Sequence, residues 1–280
     1  MSKRPLTIAK ANDAVLGTFA RVPRSEELDH AVRYLSTWSG SDKLFMIVQY
    51  AAKLLVPILE FRARVQHRAG LGAGQPNAKA LAALQALSSS IGDARMLWRI
   101  WGILPIFQWM IALEKSHPPT RALLTIERLQ GWSMVAYYPL EHIYFLASHR
   151  MLPWKISSRT LNKISLWSCR FWAVYVLLQF AHLREDLKLI KMGERALRAQ
   201  EKGKSLAIKE DDGATPSALE LAKRKRAVWN ETVVNLGYLP LTLHWSLEGG
   251  LLANESLVAF FGLVAGLASF RGGWEATRRV

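Results

Sequence analysis

Asp42–Phe61 reads DKLFMIVQYAAKLLVPILEF, a run with the length and greasiness of a bilayer span into which Gln49, Lys53, Pro57 and Glu60 are set. On a helix of 3.6 residues per turn, Asp42, Gln49, Lys53, Glu60 and Arg64 recur at intervals of seven, four, seven and four and line one narrow stripe. The rest of the circumference is almost wholly apolar. A helix on the surface of a water-soluble protein has a broader polar face, so the pattern predicts burial on most sides by other helices or lipid, with a thin wet seam. Gln49/Lys53 and Glu60/Arg64 are i,i+4 neighbours, and Pro57 is expected to kink or end the helix near its middle. The stripe favours a helix lying along or partly within a membrane face over one crossing it.

Working outward, long segments space their apolar residues at three and four and hardly any alternate with period two, so the chain reads as all-α. A helix is predicted from Glu26 to Trp38, with a break at Ser39-Gly40 and Ser41 as N-cap of the next. Gly70–Pro76 reads as a flexible turn, and Pro118-Pro119 and Pro153 as further breaks. The charged stretch Arg184–Arg226 is expected to extend a helix into solvent and then to form a disordered loop around KEDDGATPS. These divisions give an N-terminal amphipathic region (1–113), an apolar helical region (114–183), a charged linker (184–226) and a C-terminal membrane-spanning region (227–280).

Between Ala80 and Arg99, Leu84, Leu87, Ile91, Ala94, Trp98 and Trp101 recur every three or four residues on one face. Gln85, Ser88, Ser89, Gly92, Asp93, Arg95 and Arg99 lie largely opposite. Such a helix sits in the headgroup plane of an anionic membrane or packs its apolar face on the Asp42–Arg64 helix. Ile100–Leu113 and Phe171–Leu183 are uncharged but shorter than the roughly 20 residues of a span. From Thr232 to Phe270 the only charges are Glu248 and Glu255, between basic flanks at Lys223–Arg226 and at Arg271, Arg278 and Arg279. Two short spans joined between Gly249 and Asn254 put both flanks on one side, the cytosolic one by the positive-inside rule. In the better span, Ser256–Phe270, Gly262 and Gly266 have small-xxx-small spacing, which either promotes helix contact or is merely tolerated.

The chain of 280 residues is half hydrophobic, holds eleven Trp and carries a net charge of +15, a balance suited to an anionic phospholipid surface or nucleic acid. The C-terminal apolar stretch argues against nucleic acid, and KRKR reads as a topology determinant. Cys169 is the only cysteine, so no intramolecular disulfide and no CxxC zinc site is expected. The N-terminal residues show no secretory signal and the C-terminal ATRRV no matrix-targeting tripeptide or prenylation box. No catalytic, cofactor or metal site is predicted: Glu141-His142 lacks H-E-x-x-H spacing, and Gly203-Lys204-Ser205 has Arg198 where a phosphate loop begins with glycine.

Four blocks together resemble the peroxin-11 family of peroxisomal membrane proteins, in the family's order and closest to its gamma-type and fungal members. They are YLSTWSGSDKLFMIVQYAAKLL (Tyr34–Leu55), IGDARMLWRIWGILP (Ile91–Pro105), YYPLEHIYFLA (Tyr137–Ala147) and ESLVAFFGLVAGLASFRGGW (Glu255–Trp274). Gly40, Asp42, Lys43, Gln49, Tyr50 and Lys53 are the most specific part, a turn at Gly40–Lys43 running into a helix, although Ser41 stands where members often carry Arg.

The resemblance implies a non-enzymatic protein of the peroxisomal membrane that elongates the organelle and promotes its division. A helix matching about Ala80–Leu104 enters the cytosolic leaflet, the chain self-associates, and dynamin-related fission machinery is recruited through its membrane receptor. Leu84, Leu87, Ile91, Trp98 and Trp101 are then the expected wedge and Arg95 and Arg99 its electrostatic anchors, with both termini cytosolic. A metabolite-conducting pore lined by the Asp42/Gln49/Lys53/Glu60 stripe, formed by oligomerised helices, is the alternative role.

Overall fold

A computed structural model describes residues 12–13, 15–71, 77–203 and 217–278. Most of the Gly70–Pro76 turn and of the KEDDGATPS loop, and the Lys204-Ser205 pair, lie outside these residues. Among the described residues the architecture is helical throughout, without strands: α1 (Glu26–Leu35), α2 (Trp38–Arg68), α3 (Ala78–Trp98), a 3-10 turn (Arg99–Gly102), α4 (Ile103–Lys115), α5 (Arg121–Ser148), α6 (Ser158–Gly203), α7 (Ala218–Trp245) and α8 (Glu255–Thr277).

Side-chain caps set most of the starts. Ser25 accepts from Leu28 N at α1, Asn77 Oδ1 from Lys79 N at α3, and Thr120 from Leu123 N at α5. Ser217 and Glu220 form a reciprocal capping box at α7, and Asn254 caps α8. The break between α1 and α2 falls at Ser36-Thr37, earlier than the predicted Ser39-Gly40. Thr37 is the N-cap, its Oγ1 accepting from Gly40 N at 3.0 Å. Ser41 turns its hydroxyl back to the Leu35 carbonyl. Gly40–Lys43 thus lies within the first two turns of α2 and is not a loop. Pro57 does not end α2, which continues to Arg68. Pro57 deprives the Lys53 carbonyl of its helical donor, and packing on both flanks carries the helix past that one loss.

The long helices close into a ring. α2 packs on α3 and α8, α8 on α7, α7 on α6, and α6 on α5, while α3, the 3-10 turn and α4 reach α5 from the other side. α1 lies across the ends of α2 and α8, where His30 Nε2 meets the Trp274 carbonyl at 3.1 Å and Arg33 Nε donates to the Thr277 carbonyl. α5 and α6 are tied by Gln130 Nε2 to Gln179 Oε1 at 2.6 Å. Beyond the apolar cluster of Leu183, Ile190 and Val228, α6 and α7 pair Arg224 with Asp186 and Lys225 with Glu194. α7 and α8 form a hairpin whose basic flanks meet, Lys225 and Arg226 lining one groove with Arg271.

The small-residue spacing in α8 is spent on α2. Met46, Tyr50, Ala259 and Ala265 make a buried cluster, and a Cβ on Gly262 would run into the Tyr50 ring while one on Gly266 would touch Ile47 and Met46. Overpacking of this kind costs about 1–3 kcal/mol. Gly262→Val is therefore expected to lower the unfolding temperature of the detergent-purified protein, and Gly249→Ala, with open space around it, to leave it within experimental scatter.

Candidate functional site

Arg95 and Arg99 lie four residues apart, at the end of α3 and the start of the 3-10 turn, so they leave the helix on one face. Arg95 Nε donates to Asp42 Oδ1 at 2.8 Å and its Nη1 to Gln49 Oε1 at 2.8 Å, which fastens α3 to α2. Arg99 forms a two-point pair with Glu141 of α5, Nη2 to Oε1 at 2.6 Å and Nε to Oε2 at 3.1 Å, and Tyr137 donates to the same carboxylate. Lys43 Nζ reaches Asp42 Oδ2 at 3.4 Å and the Tyr238 hydroxyl at 3.3 Å, bringing α7 into the network. These residues border a cavity of about 780 Å³ inside the ring, also walled by Lys53, Tyr50, Tyr138, Trp172 and Trp245.

The stripe read from the sequence is thereby placed. Asp42, Gln49 and Lys53, with Lys43 and Tyr50, line this cavity within one chain, while Glu60 and Arg64 lie beyond it and are exposed. Gly40 sits at the α1–α2 joint, where a Cβ would strike the Tyr34 carbonyl.

The amphipathic segment does not pack its apolar face on α2; much of that face looks outward, and what differs from a helix lying in the headgroup plane is where its arginines go. Of its polar side, Ser88, Gly92, Arg95 and Arg99 turn inward while Gln85, Ser89 and Asp93 stay exposed, and Ile91, expected in the wedge, is buried instead. Its apolar side is outward: Leu87 is 46% exposed, Trp98 51%, Trp101 73% and Leu104 57%. Leu84 is half-buried. Arg95 and Arg99, expected at the headgroups, are held by carboxylates in the interior. That arrangement, apolar rim and polar centre, is stable where the surroundings are hydrocarbon.

Among the described residues four helical segments are long and apolar enough to cross a membrane: Trp38–Arg68, Ala78–Lys115, Ser158–Gln200 and Glu255–Thr277. α2 has that length despite its stripe, the short apolar run Phe171–Leu183 lies in the middle of α6, and Ile100–Leu113 makes up most of the 3-10 turn and α4 at the end of the Ala78–Lys115 segment. Elsewhere on the outside Leu44, Phe45, Leu55, Ile58, Phe107 and Ile111 stand exposed. Glu141 and Tyr137, in the third of the blocks, were not expected at the site. Their apolar surroundings hid them, and the signal was a carboxylate in the middle of an otherwise greasy helix.

An apolar exterior around an ion-paired interior defines an integral helical membrane protein. The family model for peroxisomal biogenesis factor 11 (PEX11) matches residues 28–274. The chain belongs to that family, and with it to the proteins of the peroxisomal membrane. Among similar proteins, Peroxisomal membrane protein 11-2 of Oryza sativa subsp. japonica is 25% identical over 91% of this chain and 92% of its own length. Peroxisomal membrane protein 11-3 of the same plant is 27% identical over 92% and 93%. Peroxisomal membrane protein 11 homolog of Dictyostelium discoideum is 27% identical over 45% and 44%. No solved structure matches the chain.

Removing one partner of a buried ion pair costs about 3–5 kcal/mol, whereas replacing both by apolar groups is near neutral. Glu141→Leu is expected to destabilise the protein by that amount and Glu141→Leu with Arg99→Met to recover most of it, read as thermal unfolding in detergent.

Proposed function

We propose that this protein elongates the peroxisomal membrane and promotes peroxisome division by loading one leaflet with the outward face of α3 and the following turn. The observation that carries the reading is the exposed row of Leu87, Trp98, Trp101 and Leu104 on a segment whose two arginines are ion-paired inside. Apolar and aromatic side chains set about 5–10 Å into one leaflet expand it against the other and favour positive curvature. Basic residues gathered where α7 begins and α8 ends, among them Lys225, Arg226 and Arg271, suit an anionic cytosolic leaflet and support cytosolic termini. Self-association and recruitment of dynamin-related fission machinery complete the proposal. Leu87→Glu with Trp98→Glu alters only exposed positions, so the fold is expected to survive. Tubulation of anionic liposomes by the reconstituted protein is expected to be lost, and unchanged tubulation refutes the wedge.

A second reading, a metabolite-conducting pore, is favoured by one observation: Asp42, Gln49 and Lys53 line an internal cavity. Single-channel recording separates the two. On the pore reading Lys53→Glu shifts ion selectivity toward cations, and on the remodelling reading it changes no conductance.

A further inference from the structure

The charges around the central cavity do not balance. On the α2–α3 wall three cations, Lys43, Lys53 and Arg95, stand with one carboxylate, Asp42, which Arg95 takes at 2.8 Å and Lys43 at 3.4 Å. Lys53 makes no ion pair and no side-chain hydrogen bond among the described residues. Arg99 has a carboxylate of its own in Glu141. Glu248 stands at the rim in the loop after α7, exposed to water. Tyr238 engages Lys43 and offers no negative charge.

An unneutralised ammonium inside a bundle with an apolar exterior is expensive, and at membrane depth such groups line water-filled cavities or meet a counter-ion. The remaining wall is of another kind. Met96, Met134, Leu166, Trp172 and Trp245 face the same space, and Trp172 and Trp245 stack with ring centroids 5.8 Å apart. The volume, about 780 Å³, falls among pockets that enclose small organic ligands, which combine mostly apolar walls with a few placed polar groups.

We propose that this cavity is a binding site for a small organic anion, a carboxylate or phosphate ester with an apolar body. The head is held on the Lys53, Lys43 and Arg95 wall and the body on the methionine and tryptophan wall. Lys53 supplies the charge that no carboxylate pairs among the described residues. The inference rests on the ring fold and on neither of the two functions above.

The test uses the full chain in nanodiscs of zwitterionic phosphatidylcholine and isothermal titration with 2-naphthoate, 1-naphthyl phosphate, inorganic phosphate and neutral 2-naphthalenemethanol. The wild type is expected to bind at least one of the two naphthyl anions saturably, the tighter one identifying the preferred head. Charge-assisted hydrogen bonds are worth about 1.5–3 kcal/mol, so Lys53→Gln is expected to weaken that binding about tenfold or more. Lys53→Arg and Arg271→Gln, the latter outside the cavity, retain it, and matched unfolding temperatures show that Lys53→Gln is folded. The proposal is overturned if neither anion binds, if the neutral alcohol binds equally, if inorganic phosphate binds as tightly as its ester, or if Lys53→Gln binds like wild type. Leu87→Glu with Trp98→Glu keeps anion binding whatever becomes of tubulation, so the two readings fail separately.

Discussion

Two guanidinium groups one helical turn apart hold the ring together. Arg95 and Arg99 take their carboxylates from different helices, Asp42 of α2 and Glu141 of α5, so α3 is fixed on both flanks by directional contacts. Lipid offers no hydrophobic drive for one greasy helix to choose another, and interhelical polar contacts and close packing decide the order instead. The polar network does this at the ring's centre, and the glycine face of α8 against Tyr50 and Ile47 does it where the ring closes. Each would be weak evidence of arrangement alone, since buried ion pairs need not add net stability. Together they determine which faces look inward.

Much of this was legible before any coordinates. The seven-four spacing from Asp42 to Lys53 marked a wet seam on a greasy helix, and that seam is the cavity wall. The pairing of α7 with α8, basic flanks at one end, followed from where charges were absent between Thr232 and Phe270, but of the two spans expected there only α8 is among the segments long and apolar enough to cross a membrane. The pairing of Arg95 and Arg99 inside the ring did not follow. Periodicity says that Leu87 and Trp98 share a face and that Ser88 and Arg95 share the other, but which face looks at the protein depends on what surrounds it. In water the apolar face is covered; in lipid the polar one is. The amphipathic pattern is the same for both.

Local punctuation misled for a related reason. Thr37 and Ser41 are both hydroxyl residues near a glycine, and only the fold, which folds the Ser41 hydroxyl back on Leu35, shows that Thr37 starts the helix. The apolar runs near Trp101 and Val176 were too short to span because their extensions are polar. In α3 that polarity points into the ring, and in α6 it runs out past the membrane-compatible part. The family blocks are explained by the same geometry: residues from the first three of them meet at the cavity, and the fourth closes the ring behind it.

The length of α6 carries its own consequence. Its 46 residues make a rod of about 69 Å at 1.5 Å per residue, against a hydrocarbon layer about 30 Å thick. Its last twenty residues, from Arg184, continue the same axis for about 30 Å, with α7 alongside the first half of them, Arg224 on Asp186, Leu221 against Gly193 and Lys225 on Glu194. A rod more than twice as long as the layer is thick cannot be immersed along its whole length when upright, so the charged half of α6 is the portion left to the aqueous side.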